Sequence, residues 1–202
     1  MPRRPYPKGV AKREEILATA LEVIAARGFG GATLRELADA SNLSITGLVH
    51  HFGTKEHLLT EVLRRRDELD ADAYEDSAPE TIASMVDRLT TLVDHNASVP
   101  GLVALYSNLA ADGTAPDHPA HEYFSERITR SQKLGRETLE GLQDAGELPR
   151  EVDAGDLALL VTAAVDGLQL LWEYDDSIDM TRSLKALGTL LELAKAGATA
   201  AR

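Results

Sequence analysis

The chain has 202 residues, of which 44% are hydrophobic and 27% are charged, and this composition is typical of a soluble globular protein. It contains no cysteine, so disulfide bonds, thiol catalysis and thiolate-ligated metal sites are excluded. The longest mostly apolar run, residues 157–165, is far shorter than the ~20 residues of a membrane-spanning helix. Pro2, Pro5 and Pro7 interrupt the basic N-terminus, which argues against a signal peptide. We therefore expect a cytoplasmic protein with no membrane partner.

The net charge of −12 is distributed unevenly along the chain. Residues 1–66 hold 11 Lys and Arg against 7 Asp and Glu, a net charge of +4, whereas residues 67–202 hold 10 against 26, a net charge of −16. A basic head on an acidic body favours one orientation of approach to a polyanion. The alternative is a chance asymmetry in a soluble protein.

Apolar residues recur at spacings of three and four along nearly the whole chain, and no useful stretch alternates with a period of two. The pattern predicts an all-α fold of nine helices, with a three-helix head, a fourth connecting helix and a C-terminal helical bundle. The predicted helices span about residues 11–27, 34–40, 44–52, 55–74, 78–98, 100–112, 117–144, 153–174 and 179–196.

Local signals mark the ends of the first four helices. Gly28 is predicted to stop the first helix with a positive φ. Thr33 and Glu36 have the spacing of a capping box that begins the second. Ser44 and Thr54 are predicted to cap the third and fourth.

Residues 34–52 have the layout of a helix-turn-helix, in which two short helices are joined by a tight turn and the second can lie in the DNA major groove. Many proteins contain two short helices near a turn, so this pattern alone is only moderately specific. We expect a small core formed by Phe29, Leu37, Ala38, Leu43, Leu48, Phe52 and Leu58.

Residues 16–20, 28–29, 33–38 and 43–59 follow one another in an order that closely resembles the TetR family of bacterial transcription regulators. The similarity extends over about residues 11–63 and is most specific at residues 47–59. It implies a DNA-binding domain at residues 1–60, with the fourth helix, 55–74, as connector. Residues 75–202 would then form a ligand-binding and dimerisation domain.

The resemblance implies DNA contacts at the head. Arg35 would reach a base edge or a phosphate, and Lys55 would hold a phosphate at the start of the fourth helix. The absent side chain of Gly47 would permit close approach to the groove. The full predicted set is Thr33, Arg35, Ser44, Ile45, Thr46, Gly47, Val49, His50, His51 and Lys55.

Two residues of the third helix depart from the family pattern. Members often have a basic residue where Ile45 stands and a tyrosine where Val49 stands. Neither side chain can bind a phosphate, although Ile45 could touch a thymine methyl group. The basic N-terminal arm would compensate by reaching the DNA backbone or minor groove, unless it is a solvated tail. Its residues are Arg3, Arg4, Lys8, Lys12 and Arg13.

The histidines raise the alternative of a metal site. His50 and His51 are adjacent on a helix and therefore point about 100° apart, which disfavours a shared ion. His118 and His121 are better spaced and have Glu122 beside them, but zinc would need a further ligand. We predict neither a metal site nor a cofactor.

In the TetR family the last two helices form the dimer. The resemblance therefore implies that apolar stripes on the eighth and ninth helices form a four-helix interface, with Gly167 and Gly188 allowing close approach. The alternative is that both stripes belong to the core of one protomer. The predicted interface residues are Val161, Val165, Leu168, Leu184, Leu187, Leu191 and Ala194.

Polar and aromatic residues interrupt the apolar faces of the C-terminal part, as in a pocket that is mostly apolar with a few polar groups. The predicted ligand-binding residues are His95, Tyr106, His121, Phe124, Gln169 and Trp172. Each of them could instead be an ordinary core or surface group.

Taken with the resemblance, these patterns predict a TetR-type regulator. The resemblance implies a repressor, because repression is the usual activity of the family. It would bind a palindromic double-stranded operator as a homodimer and be released by a small-molecule effector. We do not expect an enzyme, because the sequence has no phosphate-binding glycine loop, nucleophile elbow or metal motif. The remaining alternative is a helical interaction module that has lost operator binding.

Overall fold

The described part of the chain is built from α-helices. A computed structural model describes residues 7–73 and 78–200, with side chains at 9–69 and 78–200. Over these ranges the predicted all-α fold of nine helices is confirmed. The helices are α1 Pro7–Gly31, α2 Leu34–Ala40, α3 Ile45–Phe52, α4 Lys55–Ala73, α5 Ile82–Ser98, α6 Leu102–Asp112, α7 His121–Asp144, α8 Ala154–Tyr174 and α9 Met180–Ala200.

Several helix ends differ from the sequence prediction. Helix α1 begins at Pro7, where a proline ring suits the first turn because no amide donor is needed there. Its regular part ends before Gly28, whose φ of 71° and ψ of 170° interrupt the helix at the predicted position. Helix α5 begins only after Thr81, whose hydroxyl accepts a 3.1 Å hydrogen bond from the Ser84 amide. At the other end of the chain, α9 continues to Ala200.

Tyr74 and Ser77, predicted at the end of the fourth helix and the start of the fifth, lie outside the described residues. The internal contacts divide the chain into two compact units. Unit 1 comprises Met1–Glu75 and Val99–Phe124, and unit 2 comprises Asp76–Ser98 and Ser125–Arg202. Unit 1 thus contains the predicted head together with α4 and α6.

The core of unit 1 joins the short helices α2 and α3 to the longer α1, α4 and α6. Leu37, Leu48, Phe52 and Leu58 of the predicted small core are buried, and Phe29 and Leu43 pack against them half-buried. Helix α6 begins at Gly101, whose φ is 77°. A Cβ atom there would lie 2.8 Å from the Ile24 carbonyl oxygen of α1, so glycine permits both the backbone turn and the close approach of the helices.

Unit 2 is organised around the contact between α5 and α9. A Cβ atom at Gly188 of α9 would lie 2.7 Å from Cγ2 of Val86 in α5. Gly188 was predicted to assist approach between protomers, but the structure uses it for packing within one protomer. A buried hydrogen bond of 2.6 Å from the Asn96 amide to the Gln169 amide oxygen joins α5 to α8. Both polar side chains are thereby satisfied inside an apolar environment.

We expect Gly188→Ala to lower the free energy of unfolding, because the added methyl group collides with Val86 and overpacking typically costs ~1–3 kcal/mol. Gly197→Ala in the same helix is the matched control, since a Cβ atom there meets nothing within 4 Å. The control should gain up to ~1 kcal/mol from the better helix propensity of alanine. Urea unfolding followed by circular dichroism compares the two, and equal stability changes would contradict the packing role of Gly188.

Candidate functional site

Helix α2 begins with the predicted capping box. The Glu36 amide donates a 3.3 Å hydrogen bond to the Thr33 hydroxyl, and the Thr33 amide donates a 3.1 Å bond to the Glu36 carboxylate. The Thr33 amide and hydroxyl, helped by Arg27 nearby, hold the pKa of the Glu36 carboxyl below its ordinary value. Arg35 follows directly and is exposed. The box therefore fixes the backbone beside an exposed guanidinium group.

Helix α3 has one buried face and one exposed face. Leu48 and Phe52 are buried, whereas Ile45, Thr46, Val49 and His50 are exposed. Because an α-helix turns 100° per residue, the four exposed residues are neighbours around the helix, with the aliphatic pair at one edge and the polar pair at the other. The exposed face thus has an apolar half and a polar half.

The start of α3 is capped as predicted. The Ser44 hydroxyl accepts a 3.0 Å hydrogen bond from the Gly47 amide. A Cβ atom at residue 47 would lie 3.3 Å from that hydroxyl, so the glycine leaves room for the cap. His51 is half-buried, with its ring centroid 6.3 Å from that of Phe52. It is therefore less accessible than His50.

The end of α3 is held by Arg13 of α1. The Arg13 guanidinium donates a 3.2 Å hydrogen bond to the His51 carbonyl oxygen and lies 4.5 Å from the centroid of the Phe52 ring. It also forms a salt bridge with Glu61 of α4. A cation suits this position, because the C-terminal end of a helix carries partial negative charge. Arg13 thus links α1, α3 and α4 at the end of α3.

Part of the basic arm makes contacts within the protein. Arg13 and Lys12 were predicted to reach DNA, and both bind other groups of unit 1 here, so their contact with DNA stays a prediction. Lys12 donates a 3.1 Å hydrogen bond to the Ser41 carbonyl oxygen at the end of α2 and pairs with Glu15 at 2.8 Å. Arg3, Arg4 and the side chain of Lys8 lie outside what the structure describes.

Lys55 lies at the N-terminal end of α4, next to the cap. The Thr54 hydroxyl accepts a 3.1 Å hydrogen bond from the His57 amide, and the Lys55 ammonium nitrogen lies 5.3 Å from the centroid of the Phe29 ring. A helix N-terminus with an adjacent lysine is suited to an anion such as a phosphate. Helix α3 itself, with the sequence ITGLVHHF, carries no lysine or arginine.

The six predicted ligand-binding residues fall into both units. Tyr106, His121 and Phe124 belong to unit 1, where the Tyr106 and Phe124 rings meet edge to face at 5.4 Å. His121 lies with its ring Nδ1 2.8 Å from the Gly113 carbonyl oxygen. In unit 2, Gln169 is bound to Asn96, Trp172 packs half-buried against an apolar cluster, and His95 is exposed. The ligand site stays a prediction.

A surface groove of about 380 Å³ lies in unit 2 between α7 and α8. It contains none of the predicted ligand-binding residues. Its lining consists of Thr129, Gln132, Lys133, Arg136, Gly155, Asp156 and Leu159.

Within the described ranges, no group of three or more histidine and carboxylate side chains is placed to hold a metal ion. The histidines considered for such a site make local contacts. His118 Nδ1 accepts a 3.2 Å hydrogen bond from the Ala120 amide, and His121 lies against Gly113.

Most of the predicted dimer residues face inward. Val165, Leu184 and Leu191 are buried in unit 2, and half-buried Val161 and Leu168 pack against the same core clusters. The three buried side chains face the core of their own protomer, which corrects their assignment, whereas Val161 and Leu168 are partly accessible and stay a prediction. Leu187 is half-buried and Ala194 is exposed.

A second apolar face was selected from the sequence only in part, through Gly167, Leu187 and Ala194. We call it the outer stripe, and it consists of Leu159, Leu160, Ala163, Gly167, Leu170 and Leu171 in α8 and Ala186, Leu187, Leu190, Leu193 and Ala194 in α9. The leucines 160, 190 and 193 are 66%, 64% and 63% exposed. In α8 the set lies on the side opposite the buried residues, whereas in α9 it extends from the exposed side to Leu187 and Ala194 at the margin of the buried face. A helical plot of both faces of α8 would have revealed it.

Helix α8 is apolar on both sides. Its 21 residues have the length of a membrane-spanning helix, and its most apolar 18-residue window has the composition of one, with a mean hydropathy of 1.5; only 28% of that window is buried. The buried side covers the core of unit 2. The outer stripe accounts for the rest of the high hydropathy.

Comparison with known proteins begins with the sequence. The family model for bacterial regulatory proteins of the tetR family matches residues 16–62. The HTH-type transcriptional repressor KstR2 of Rhodococcus jostii is 30% identical over 138 residues, which cover 67% of this chain and 65% of that protein. KstR2 of Mycolicibacterium smegmatis is 39% identical over 54 residues, 27% of this chain and 26% of that protein. The match thus spans less than two thirds of either relative.

Solved structures extend the similarity of fold to most of the chain. A TetR transcription regulator from Haloarcula marismortui has a TM-score of 0.76 at 16% identity, covering 92% of this chain and 98% of that one. FadR from Bacillus subtilis, in complex with stearoyl-CoA, has a TM-score of 0.71 at 16% identity over 90% and 98%. A regulator from Saccharomonospora viridis, in complex with choline, has a TM-score of 0.68 at 24% identity over 88% and 95%.

The capping box of α2 should make stability depend on pH through Glu36. Because the pKa of Glu36 is lowered by folding, its contribution is complete above the unfolded value of about 4.3 and is lost as pH falls through the folded pKa. Glutamine can also close such a box but does not titrate. The stability advantage of the parent chain over Glu36→Gln should therefore shrink between about pH 7 and about pH 3, as measured by urea unfolding. An unchanged difference would show that the charged carboxylate does not stabilise the cap.

Proposed function

Because the chain belongs to the TetR family of bacterial regulatory proteins, which are transcription regulators and not enzymes, we propose that it is a cytoplasmic repressor. In this proposal the protein binds a palindromic DNA operator as a homodimer, and a small-molecule effector releases it from the operator. The observation that carries the proposal is the exposed face of α3. This short helix is capped by Ser44, anchored by Arg13 and flanked by Arg35 and Lys55.

The division of charge supports this orientation on DNA. Residues 1–66 carry a net charge of +4 and the remainder carries −16, so a DNA duplex attracts the head and repels the body. In the proposed complex α3 enters the major groove, while Arg35, Lys55 and the backbone amides at the caps bind phosphates. Thr33, Ser44, Thr46 and His50 complete the contact surface.

The outer stripe supports the proposed homodimer. Large exposed apolar patches on soluble proteins commonly mark interaction surfaces. Pairing α8 and α9 with the same helices of a second copy would cover the exposed leucines in a four-helix arrangement. At Gly167 a Cβ atom meets nothing within 4 Å, so this glycine leaves room for a partner helix. Binding of such a pair to two half-sites one turn of DNA apart requires a spacing of about 34–36 Å between the two α3 helices.

Release by an effector is proposed from the ligand complexes of structurally similar proteins. FadR from Bacillus subtilis was solved with stearoyl-CoA, and the Saccharomonospora viridis regulator with choline. We propose the aromatic contacts of Tyr106 and Phe124 in unit 1 and the Trp172 region in unit 2 as places to seek a ligand. In this proposal the dimer has one state whose α3 helices match the spacing of the operator and one state whose α3 helices do not. An effector that binds the second state more tightly lowers operator affinity, at most by the ratio of the effector's affinities for the two states.

A helical interaction module that has lost operator binding is the second candidate. The observation that favours it is the absence of lysine and arginine from α3, together with the exposure of Ile45 and Val49. The two candidates differ in one measurable property, which is sequence-specific affinity for duplex DNA.

Operator binding is tested with duplexes selected by the full-length chain from a random library. We expect selection of a palindromic site and weaker binding by Lys55→Ala, because a phosphate contact is lost in each protomer. The slope of log affinity against log salt should become less steep by about two for the dimer, one per lost contact. Lys133→Ala, which removes a cation that is 76% exposed on α7, is the control and should bind as the parent does. If no sequence is enriched, the interaction-module candidate replaces the operator-binding one.

The homodimer is tested by Leu160→Glu combined with Leu190→Glu, which introduces charge into the centre of the outer stripe. Both leucines are exposed, at 66% and 64%, so each protomer should still fold while light scattering reports monomers. Leu134→Glu on α7, at 63% exposure, is the matched control and should remain dimeric. A persistent dimer in the double variant, with an unchanged circular dichroism spectrum, would place the interface elsewhere.

A further inference from the structure

We infer that Ile45 and Val49 read thymine methyl groups in the major groove, so that the operator is recognised in part by apolar contact. This inference rests on the proposed function and specifies how its DNA partner is chosen. It assigns the two aliphatic residues of α3 a specificity-determining role.

The structure places both side chains where a DNA base could reach them. Ile45 is 42% exposed and Val49 is 39% exposed, and the two lie one helical turn apart on the same edge of the exposed face. The core of unit 1 is closed instead by Leu48 and Phe52, which are 1% and 4% exposed on the adjacent side of the helix. About two fifths of each aliphatic side chain is therefore left uncovered by the protomer and is open to a partner.

The chemistry of the major groove selects thymine as the partner. The other bases present hydrogen-bond donors or acceptors there, whereas thymine adds the C5-methyl group to its acceptor. An aliphatic side chain placed against the amino group of cytosine or adenine would remove water without replacing its hydrogen bond. Contact with a methyl group instead removes apolar surface from water on both partners.

The spacing limits where the two methyl groups can lie. Residues four apart in a helix are separated by about 6 Å along its axis, and successive bases rise about 3.4 Å along each DNA strand. A recognition helix lying along the groove would therefore bring Ile45 and Val49 to bases about two steps apart. The polar half of α3, Thr46 and His50, would face neighbouring bases or phosphates.

Electrostatic attraction does not conflict with this apolar contact, because the nearby cations lie on other helices. Arg35 is on α2 and Lys55 begins α4, so phosphates can be bound on either side of α3. The apolar edge then contributes to the choice of sequence, while these cations contribute to affinity for any duplex.

The test replaces single thymines by deoxyuridine in the selected operator, which removes the C5-methyl group and leaves the base-pairing edge unchanged. We expect two positions in each half-site at which the replacement weakens binding about fourfold, the value of one buried methyl group. Replacement at the matching positions of both half-sites should weaken binding about 15-fold, because the two protomers act on one duplex. Thymines elsewhere in the site should tolerate the replacement.

Protein variants assign each sensitive thymine to a residue. Val49→Ser should bind the thymine and deoxyuridine duplexes equally well at one of the two sensitive positions and keep its preference for thymine at the other. Ile45→Ser should show the reverse pattern. Serine has a helix propensity similar to that of isoleucine and valine, so α3 should be preserved. Val152→Ser is the matched control, since Val152 is 37% exposed in unit 2, and its thymine preference should equal that of the parent.

The outcomes separate this inference from the proposed function. If an operator is selected but every thymine tolerates deoxyuridine, methyl readout is wrong and operator binding stands. Methyl readout is also wrong if both serine variants keep the full thymine preference, because another group must then contact the methyl. If no operator is selected, the proposed function itself is wrong.

Discussion

The attachment of α3 to the rest of unit 1 is the constraint on which the exposed face of this helix depends. A helix of eight residues is too short to be stable alone in water. Leu48 and Phe52 bury its inner face, the Ser44 hydroxyl caps its start, and Arg13 binds the carbonyl oxygen of His51 at its end. The exposed face is therefore held by the surrounding helices, with Arg13 coupling it to α1 and α4 together.

Whereas α3 depends on its neighbours for stability, α8 and α9 have more apolar surface than one protomer covers. Helix α8 presents Val165 to the core and Leu160 and Leu171 to its exposed side, and α9 does the same with Leu184 and Leu190. A helix with two apolar faces has two neighbours in a soluble assembly or leaves a large patch in contact with water. The proposed homodimer resolves this conflict.

Local chemistry made much of the head predictable. The capping box at Thr33, the caps at Ser44 and Thr54 and the positive φ of Gly28 depend on neighbours within a few residues, and the structure contains each of them. Contacts between distant segments were not predictable in the same way. Arg13 is 38 residues from its partner His51, and Gln169 is 73 residues from Asn96, so no local pattern distinguishes them from solvent-facing residues or ligand contacts.

The dimer residues illustrate a different limit. Periodicity correctly identified apolar stripes on α8 and α9, but a sequence period does not state which stripe faces the protomer's own core. Val165, Leu184 and Leu191 belong to the inward stripe because unit 2 requires them around α5. Distinguishing the two stripes required the position of α5, which depends on the close contact between Gly188 and Val86.

The absence of lysine and arginine from α3 has a consequence for how such a protein could diversify. Substitutions at residues 45 and 49 alter mainly the shape and polarity of the exposed edge, since Leu48 and Phe52 supply the fully buried contacts of α3 and Arg13 binds its end. In the proposed complex, the preferred sequence can therefore drift through these two positions while general attraction to nucleic acid is retained. The product of a duplicated gene could therefore acquire new operator sequences in small steps while it keeps its nonspecific affinity for DNA.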